Sequence, residues 1–281
     1  MKKILAMILV LTTVVCTIFT VFTMTSCAKD DETLDGKKVL VCGVTPFPGF
    51  SEKDANGNYV SGFDTEFAKE VGKILGMEVR FQEINWDQKY NELNSGAIDC
   101  IWNGFTANSE DKLPSGKSVK RSDLVDFSYG YMLNQQCVVV RRDKLANYPN
   151  EASLNGKTAC VEGGSAGAEY AAKVTQKDKI NDKASAQVNA LFEVKAGAVD
   201  FAVVDILLAK NLCGKGDYEN LAIVESIVLG HEIYAIGFKK GSKLTAKVND
   251  AIKQLEKSGK LMEIAKKYKL ENALQITEKI S

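Results

Sequence analysis

The sequence has little histidine and no excess of charge of either sign. Its single histidine, His231, has no serine or cysteine motif beside it, so nucleophilic catalysis that depends on histidine is not expected. The 36 basic residues are matched by 36 acidic residues. A protein that binds nucleic acid usually shows a basic surplus, so we expect no nucleic-acid partner.

Paired cysteine motifs are also missing. After Cys16 and Cys27 near the N-terminus, five cysteines remain, which is an odd number, and none forms a Cys-x-x-Cys pair. Four of the five lie in apolar runs, where cysteine behaves as a small buried hydrophobe: Cys42, Cys100, Cys137 and Cys160. We therefore expect free core thiols rather than a disulfide framework or a metal site, and no cofactor.

Long apolar runs are absent except at the N-terminus. There, Lys2 and Lys3 precede a charge-free run over 4–24, which Thr25, Ser26 and Cys27 follow. The run is long enough for an uncleaved membrane anchor. Small residues directly before a cysteine nevertheless resemble a bacterial lipobox, in which the acylated cysteine becomes the new N-terminus.

The N-terminal pattern predicts where the protein lies. We expect a lipoprotein signal peptide over 1–26, membrane attachment through lipid on Cys27, and a body on the extracytoplasmic face of the cell membrane. Residues 27–36 are short, polar and acidic, and we interpret them as a tether.

The body alternates between strand and helix patterns. We predict strands over 39–44, 77–84 and 98–102. Between them lie a helix over 63–75, with an apolar face that ends at a glycine, and a short helix over 87–93. Strands separated by helices predict an α/β fold with a mainly parallel sheet and flanking helices.

The same pattern then repeats. A strand through Val161, a helix from near Ala166, a helix around Leu191 and a strand over 199–204 form a second block. The segments Gly96-Ala97-Ile98-Asp99 and Gly197-Ala198-Val199-Asp200 occupy matching places in the two blocks. Each is predicted to end a helix at its glycine and to enter a strand at its aspartate, so two similar lobes are expected.

Two extended segments, over 135–142 and 233–239, connect the blocks, and a helical tail over 243–269 follows. A tail without a sheet of its own must dock on an existing lobe. We therefore predict that 37–135 plus 238–281 form lobe 1 and that 136–237 form lobe 2. Two crossing strands make a hinge, and a cleft between lobes is a common place for a small ligand.

A series of short motifs in a fixed order identifies a family resemblance. The motifs are Pro46-Phe47, Gly62-Phe63-Asp64, Trp86, Leu93-Asn94-Ser95-Gly96, Gly104-Phe105-Thr106, Asp126-Phe127-Ser128, Leu154-Asn155-Gly156-Lys157, Gly163-Gly164-Ser165 and Asp205. Together they resemble the amino-acid-binding solute-binding proteins of ABC importers, family 3, over residues 37–268. The resemblance implies a type-2 periplasmic-binding-protein fold and a monomer that captures a free amino acid and delivers it to the permease and ATPase subunits. It implies no catalytic residue.

A free amino acid sets clear chemical demands on a cleft. Its carboxylate and its ammonium are costly to bury unless each is paired and hydrogen-bonded. A guanidinium and backbone amides at a helix start suit the carboxylate, and an acidic group suits the ammonium. The resemblance assigns these roles to Arg121, to Ser165 with Ala166, and to Asp205. For Ser165, capping of its helix is compatible with the ligand role, and we expect both together. The alternative for Asp205 is that it caps the helix that follows it.

The spacing of Arg121 departs from the family pattern. Arg121 lies five residues before Asp126, as the family requires, but 15 residues after Thr106, about ten more than expected. We interpret 112–120, which is rich in Gly, Pro, Ser and Lys, as an inserted loop. The alternative is that Arg121 is solvated and that Lys112, or nothing, replaces it.

The resemblance also implies contacts from the Gly104-Phe105-Thr106 segment and from two aromatic residues. Gly104 should offer a carbonyl to the ammonium, and Thr106 a hydroxyl to the carboxylate. Phe47 and Trp86 would sandwich the aliphatic part of the ligand, with core packing as the alternative for each. The apolar Val44 and Val204, by comparison with glutamine-binding relatives, disfavour a glutamine or strongly cationic ligand.

Two other functions share this pattern. A dehydratase-like or wall-cleaving enzyme on the same fold would need an acid or base in the cleft, and Glu162 is the candidate. A ligand-sensing domain would need a second membrane span, and no charge-free run of about 18 residues follows Met24. We therefore expect a binding protein rather than an enzyme.

Overall fold

The computed structural model describes residues 33–34, 37–113 and 115–280. The strands are β1 (Thr33–Leu34), β2 (Lys37–Val44), β3 (Glu52–Lys53), β4 (Tyr59–Ser61), β5 (Met77–Glu83), β6 (Cys100–Ile101), β7 (Glu110–Lys112), β8 (Ser118–Lys120), β9 (Asp126–Phe127), β10 (Gly130–Arg141), β11 (Ala159–Glu162), β12 (Ile180–Ala184), β13 (Phe201–Asp205), β14 (Leu221–Ile223), β15 (Leu229–Tyr234), β16 (Gly237–Phe238) and β17 (Leu274–Thr277). The α-helices are α1 (Phe63–Leu75), α2 (Lys89–Ser95), α3 (Arg121–Leu124), α4 (Ala166–Val174), α5 (Gln187–Ala196), α6 (Ile206–Leu212), α7 (Leu244–Lys257) and α8 (Lys260–Lys267). The predicted signal peptide and Cys27 lie outside the described residues.

The first sheet has a parallel centre. Strand β2 pairs in parallel with β5 on one side and with β6 on the other, and β16 and β9 extend the sheet in antiparallel register. Strand β1 lies in the predicted tether and pairs antiparallel with β2. Helix α1 packs on β5 with one apolar face, which is why its phenylalanines recur at helical spacing.

The second sheet repeats this design. Strand β11 lies between β12 and β13 in parallel register, and β10 joins β13 antiparallel. Strand β10 is 12 residues long and also pairs with β14, β15 and β17, so it carries the chain from the first lobe into the second. Strand β15 runs back beside it, as the two predicted crossing segments require. The predicted α/β fold with two sheet-containing lobes is confirmed.

The helix-to-strand corners are the same in both lobes. Gly96 and Gly197 end their helices in the left-handed conformation, each with a φ of 76°. Three residues after each glycine lies an aspartate. Its carboxylate accepts a hydrogen bond from a backbone N–H at the neighbouring parallel strand. Asp99 Oδ2 lies 2.8 Å from the Val41 nitrogen, and Asp200 Oδ2 lies 2.9 Å from the Thr158 nitrogen. The repeated motif therefore builds the same corner twice.

The helical tail docks where the sequence predicts. Helices α7 and α8 pack against α1, beside the first sheet. The chain then continues into β17, which the sequence analysis did not predict and which pairs with β10 at Gly130 and Met132. Within the described residues, no helix is both long and apolar enough to cross a membrane.

Five cysteines lie in the part of the chain that the structure describes. The four strand cysteines are buried and free, and Cys213 is free and partly buried. Cys42 and Cys100 lie with their sulfur atoms 3.6 Å apart on neighbouring strands. Burial raises the pKa of the Cys100 thiol well above its ordinary value, so this group stays protonated.

Candidate functional site

Four parallel strands present polar side chains to the line where the two lobes meet. In the first lobe these are Thr45, directly after β2, and Asn103, two residues after β6. In the second lobe they are Glu162 at the end of β11 and Asp205 at the end of β13. In open α/β sheets, ligands bind outside the carboxyl ends of the strands, so this edge is the candidate site.

Arg121 is buried at this edge and is not a solvated loop residue. Only 1% of it is exposed, and its Nη1 lies 3.1 Å from the Thr106 carbonyl oxygen. Its Nε and Nη2 both lie 2.9 Å from Asp111 Oδ1. Its guanidinium carbon stands 5.2 Å from the centre of the Phe105 ring. The structure therefore brings the predicted carboxylate-binding group to the cleft.

Lys89 is a second buried cation beside Arg121. Its ammonium is 3.7 Å from Asp111 Oδ2 and lies over the rings of Trp86 and Tyr90. Burial lowers the pKa of Lys89 to about 8, although the charge of Asp111 acts in the opposite direction. Burial alone would raise the pKa of Asp111, but the nearby charges of Arg121 and Lys89 bring it below its ordinary value.

The two cations also reach the second lobe. Lys89 Nζ donates to the Gly164 carbonyl oxygen at 2.9 Å, and Arg121 Nη2 approaches the same oxygen at 3.4 Å. Ser109 Oγ donates to Glu169 Oε2 at 2.9 Å across the same boundary. The lobes are therefore in direct polar contact on this side of the cleft.

The segment between Thr106 and Arg121 is a hairpin, not the predicted loop. Strands β7 and β8 pair antiparallel, with Asp111 opposite Val119. The Arg121 nitrogen donates to the Ser109 carbonyl oxygen at 3.0 Å, so the chain leaves and returns at the same point. Because its two ends are adjacent, the insertion does not displace Arg121 from the site.

Asp205 does not cap the helix that follows it. Its side chain makes no capping hydrogen bond to α6. Instead, Oδ1 accepts amide hydrogens from Asn134 and Gln136 of the crossing strand β10, and Oδ2 accepts one from Gln187. Burial raises the pKa of Asp205, against the effect of these amide donors. It is thus a buried carboxylate whose partners in the described residues are neutral.

Glu232, which the sequence analysis did not single out, lies beside Asp205. It is 2% exposed, and its Oε2 accepts from the same two amides, at 2.6 Å from Asn134 Nδ2 and 3.0 Å from Gln136 Nε2. Glu162 is also buried, and its Oε1 lies 3.4 Å from the Thr45 hydroxyl of the opposite lobe. Burial first, and then the charge of Asp205, raise the pKa of each glutamate to about 8.

Ser165 is the N-cap of α4. Its Oγ accepts the Ala168 N–H at 3.2 Å and donates to the Glu162 carbonyl oxygen at 2.8 Å. Ser165 and Ala166 are both buried, directly after the Gly164 carbonyl that Lys89 and Arg121 approach. The capping interpretation is confirmed, and the helix start faces the two cations.

Phe47 and Gly104 pack against each other in the first lobe. Phe47 is 2% exposed and stacks on Phe50 with ring centres 4.6 Å apart. Gly104 has a φ of 60°, and a Cβ added there would lie 2.8 Å from the Phe47 ring and 3.0 Å from the Tyr234 ring. Its N–H donates to the buried Asp64 Oδ2 at 2.9 Å. Only glycine fits this close approach.

Trp86 lies beside Lys89, and Phe105 and Thr106 lie beside Arg121. Trp86 meets Phe105 edge-on with ring centres 5.6 Å apart, and both rings are buried. Thr106 forms a bridge with Tyr234 of the returning strand and offers its carbonyl to Arg121. The structure thus gathers Phe105, Thr106 and Arg121 at one place, and contact with a ligand stays a prediction.

Several residues of the site escaped the sequence analysis: Lys89, Asp111, Asn134, Gln136, Gln187 and Glu232. A weak signal existed for two of them. Asn134 and Gln136 are two residues apart in an extended segment, so they share one face. No local pattern marks Lys89, because a lysine early in an amphipathic helix is ordinarily exposed.

Comparisons with known proteins agree with this geometry. The model of bacterial extracellular solute-binding proteins, family 3, matches residues 40–271. The arginine-binding extracellular protein ArtP of Bacillus subtilis is 27% identical over 257 residues, which cover 88% of this chain and 92% of the relative. The L-cystine-binding protein TcyA of the same organism is 28% identical over 246 residues, 86% of each chain.

A solved structure with the same fold contains a bound ligand. It is the substrate-binding protein of an ABC uptake transporter from Streptococcus pneumoniae with bound histidine. The two chains are 28% identical, with a TM-score of 0.71, over 84% of this chain and 94% of the other.

Proposed function

This chain belongs to family 3 of the bacterial extracellular solute-binding proteins, and from that membership we propose that it captures a free amino acid between its lobes for an ABC importer. One observation carries the proposal. Two buried cations of the first lobe, Lys89 and Arg121, face buried carboxylates of the second lobe at the carboxyl ends of parallel strands. A zwitterionic amino acid between the lobes can place its carboxylate beside the cations and its ammonium beside the carboxylates.

Each end of the zwitterion has a partner in this proposal. Arg121 and the helix start at Ser165 and Ala166 hold the α-carboxylate, since a guanidinium and backbone amides bind carboxylates well. Asp205 holds the α-ammonium. Because ligand contacts reach both lobes, binding favours the closed form, and the permease would recognise that form.

The relatives support an amino acid as ligand but differ in which one they bind. Their names specify arginine and cystine, and the solved structure contains histidine. The relatives therefore support an amino acid as the class of ligand. Which amino acid this chain binds depends on the residues of its own cleft.

We test the proposal with ligand-stripped protein and a thermal-shift screen of the twenty amino acids and cystine. A ligand at a hundredfold excess over its Kd stabilises by about 2.7 kcal/mol, which raises the Tm by roughly 5–10 °C at this size. Arg121→Ala should abolish the shift, whereas Lys112→Ala, a matched removal of charge from the hairpin, should retain it. No shift with any amino acid would refute the proposal.

The protein acts as a binder and not as an enzyme in this proposal. Glu162 has the raised pKa of a general acid, but its neighbours are cations and a carboxylate that suit a charged ligand. The ligand from the thermal-shift experiment should therefore be recovered chemically unchanged, as mass spectrometry would show.

Attachment to the membrane through Cys27 is part of the same proposal. The family is extracellular, and a diacylated cysteine supplies the two chains that stable anchoring requires. A labelled fatty acid should be incorporated into the unchanged protein and not into Cys27→Ala. An unchanged protein that stays unlabelled and keeps Met1 at its N-terminus would favour the uncleaved anchor.

A further inference from the structure

The cleft holds more buried negative charge than its cations neutralise. Two buried cations, Lys89 and Arg121, meet three buried carboxylates there, Glu162, Asp205 and Glu232. The partly buried Asp111 lies beside the cations. Both cations already lie within ion-pair distance of Asp111. In the part of the chain that the structure describes, the other three carboxylates have no cation within such distance, so they lack a charge partner from the protein.

The strand register explains how two of these carboxylates come together. Strand β10 lies between β13 and β15, with Gln136 opposite Asp205 and Asn134 opposite Glu232. Asn134 Nδ2 lies 2.7 Å from Asp205 Oδ1 and 2.6 Å from Glu232 Oε2, and Gln136 Nε2 bonds the same two oxygens. Each side-chain amide thus donates one hydrogen to Asp205 and the other to Glu232, so the two amides bridge the two carboxylates.

This arrangement leaves hydrogen-bond acceptors without donors. Asn134 Oδ1, Gln136 Oε1 and Glu232 Oε1 are buried, and none has a partner among the described residues. Buried acceptors of this kind are strongly unfavourable, and a ligand with several N–H donors would satisfy them.

Protons compensate the charge in the ligand-free protein. The titratable groups around Glu232 are Asp205 on β13, Arg121 on α3, Tyr170 on α4 and Tyr234 on its own strand. Burial and the charge of Asp205 raise the pKa of Glu232, and the amides and Arg121 only partly oppose this.

Glu162 is compensated in the same way. Its titratable neighbours are Asp205, Lys89 and Arg121, and the Thr45 hydroxyl donates to it. Burial and the charge of Asp205 raise the pKa of this glutamate, so it too holds a proton near neutral pH. A cationic ligand could replace these protons with its own charge.

We propose that this chain binds an amino acid of net positive charge, and that Glu162 and Glu232 hold the cationic side chain while Asp205 holds the α-ammonium. The inference rests on the proposed amino-acid function and specifies the ligand class of the same site. It replaces the expectation from Val44 and Val204. Val204 is part of the apolar core, so its apolar character reflects packing and not the charge of the ligand.

Arginine and citrulline provide a direct test, because they have nearly the same shape and differ in charge. Titration calorimetry on ligand-stripped protein should give an arginine affinity at least about 100-fold above that of citrulline, as expected for a buried charge partner. Glu232→Gln and Glu162→Gln should each reduce arginine affinity at least about tenfold and bring the two affinities closer. Glu225→Gln, an exposed glutamate of the same lobe, is the matched control and should change neither.

Proton release provides a second readout. Arginine binding should release protons near neutral pH, so its apparent enthalpy should depend on the ionisation enthalpy of the buffer. Fewer protons should be released in each of the two glutamine variants. Thermal melts of the variants serve as the control that they are folded. Equal or tighter binding of citrulline, or unchanged arginine affinity in both variants, overturns this inference alone. Failure of every amino acid to bind would overturn the proposed function as well.

Discussion

The guanidinium of Arg121 has a carboxylate of its own chain beside it. Asp111 accepts from two of its nitrogens and also lies near the Lys89 ammonium. The Tyr90 hydroxyl donates to the same carboxylate. A ligand carboxylate at this place must share these donors with Asp111 or displace it. In the proposed function, Asp111 is therefore expected to limit how strongly the cations hold a ligand.

Replacing Asp111 should separate these effects. Asp111→Asn leaves two buried cations without their anion, and breaking a buried pair costs about 3–5 kcal/mol. The Tm of the ligand-free variant should therefore decrease by roughly 10 °C at this chain length. The ligand-induced increase in Tm should exceed that of the unchanged protein, because the ligand carboxylate replaces the missing charge.

Calorimetric melts with and without ligand check this expectation. Asp123→Asn is the matched control, since Asp123 is exposed two residues after Arg121 and should change neither value. A variant that melts like the unchanged protein would show that Asp111 does not compensate the cations.

Sequence located some of these residues and not others. Arg121 was found because it precedes Asp126-Phe127-Ser128 by the family's spacing, and Ser165 and Asp205 were found because each belongs to a recognisable motif. Lys89, Asp111 and Glu232 were missed, since their significance comes from burial or from contact with charges that are distant in the chain.

At the scale of elements, the hairpin β7–β8 shows how a fold tolerates an insertion. The sequence predicted an irregular loop there, because Gly, Pro, Ser and Lys dominate it. The strands pair nonetheless, with Glu110 opposite Lys120, and the hairpin ends next to where it began. The same pairing places Asp111 beside Arg121, so the insertion contributes a charge to the site.

The helix-to-strand corners, in contrast, could be predicted from the sequence. A glycine in the left-handed conformation and an aspartate that bonds the neighbouring strand are local requirements, and both appear as letters in the sequence. Strands β12 and β17 were missed. Strand β12 is largely exposed and lacks the alternating apolar pattern that marks a half-buried strand. Strand β17 does alternate, but over only four residues, which is the lower limit of a recognisable pattern.

At the scale of the whole molecule, the buried carboxylates should make ligand-free stability depend on pH. Burial and the charge of Asp205 raise the pKa of Glu162 and Glu232 from 4.5 to about 8. Between these values the native state keeps protons that the unfolded chain has lost. Each such group therefore costs about 1.4 kcal/mol of stability per pH unit as the pH rises through this window.

Melting of ligand-stripped protein between about pH 5.5 and pH 8 tests this. The Tm should decrease as pH rises, and the decrease should be smaller when both glutamates are replaced by glutamine. The lowered pKa of Asp111 acts only at lower pH, and the pKa of Lys89, lowered to about 8, acts only above the window. A Tm that is constant or increases across the window would contradict the burial of these charges.

The sequence alone predicts the α/β fold with two lobes, the family, and three of the side chains that lie at the candidate site, Arg121, Ser165 and Asp205. These features depend on local periodicity, on glycine conformations and on motifs whose order is visible in one chain. Only the tertiary structure decided the charge balance of the cleft. Thr45 meets Glu162 across 117 residues, and Asn134 meets Glu232 across 98. A charge acquires its pKa and its partner from such neighbours, because burial and Coulomb attraction depend on distance in space and not on distance along the chain.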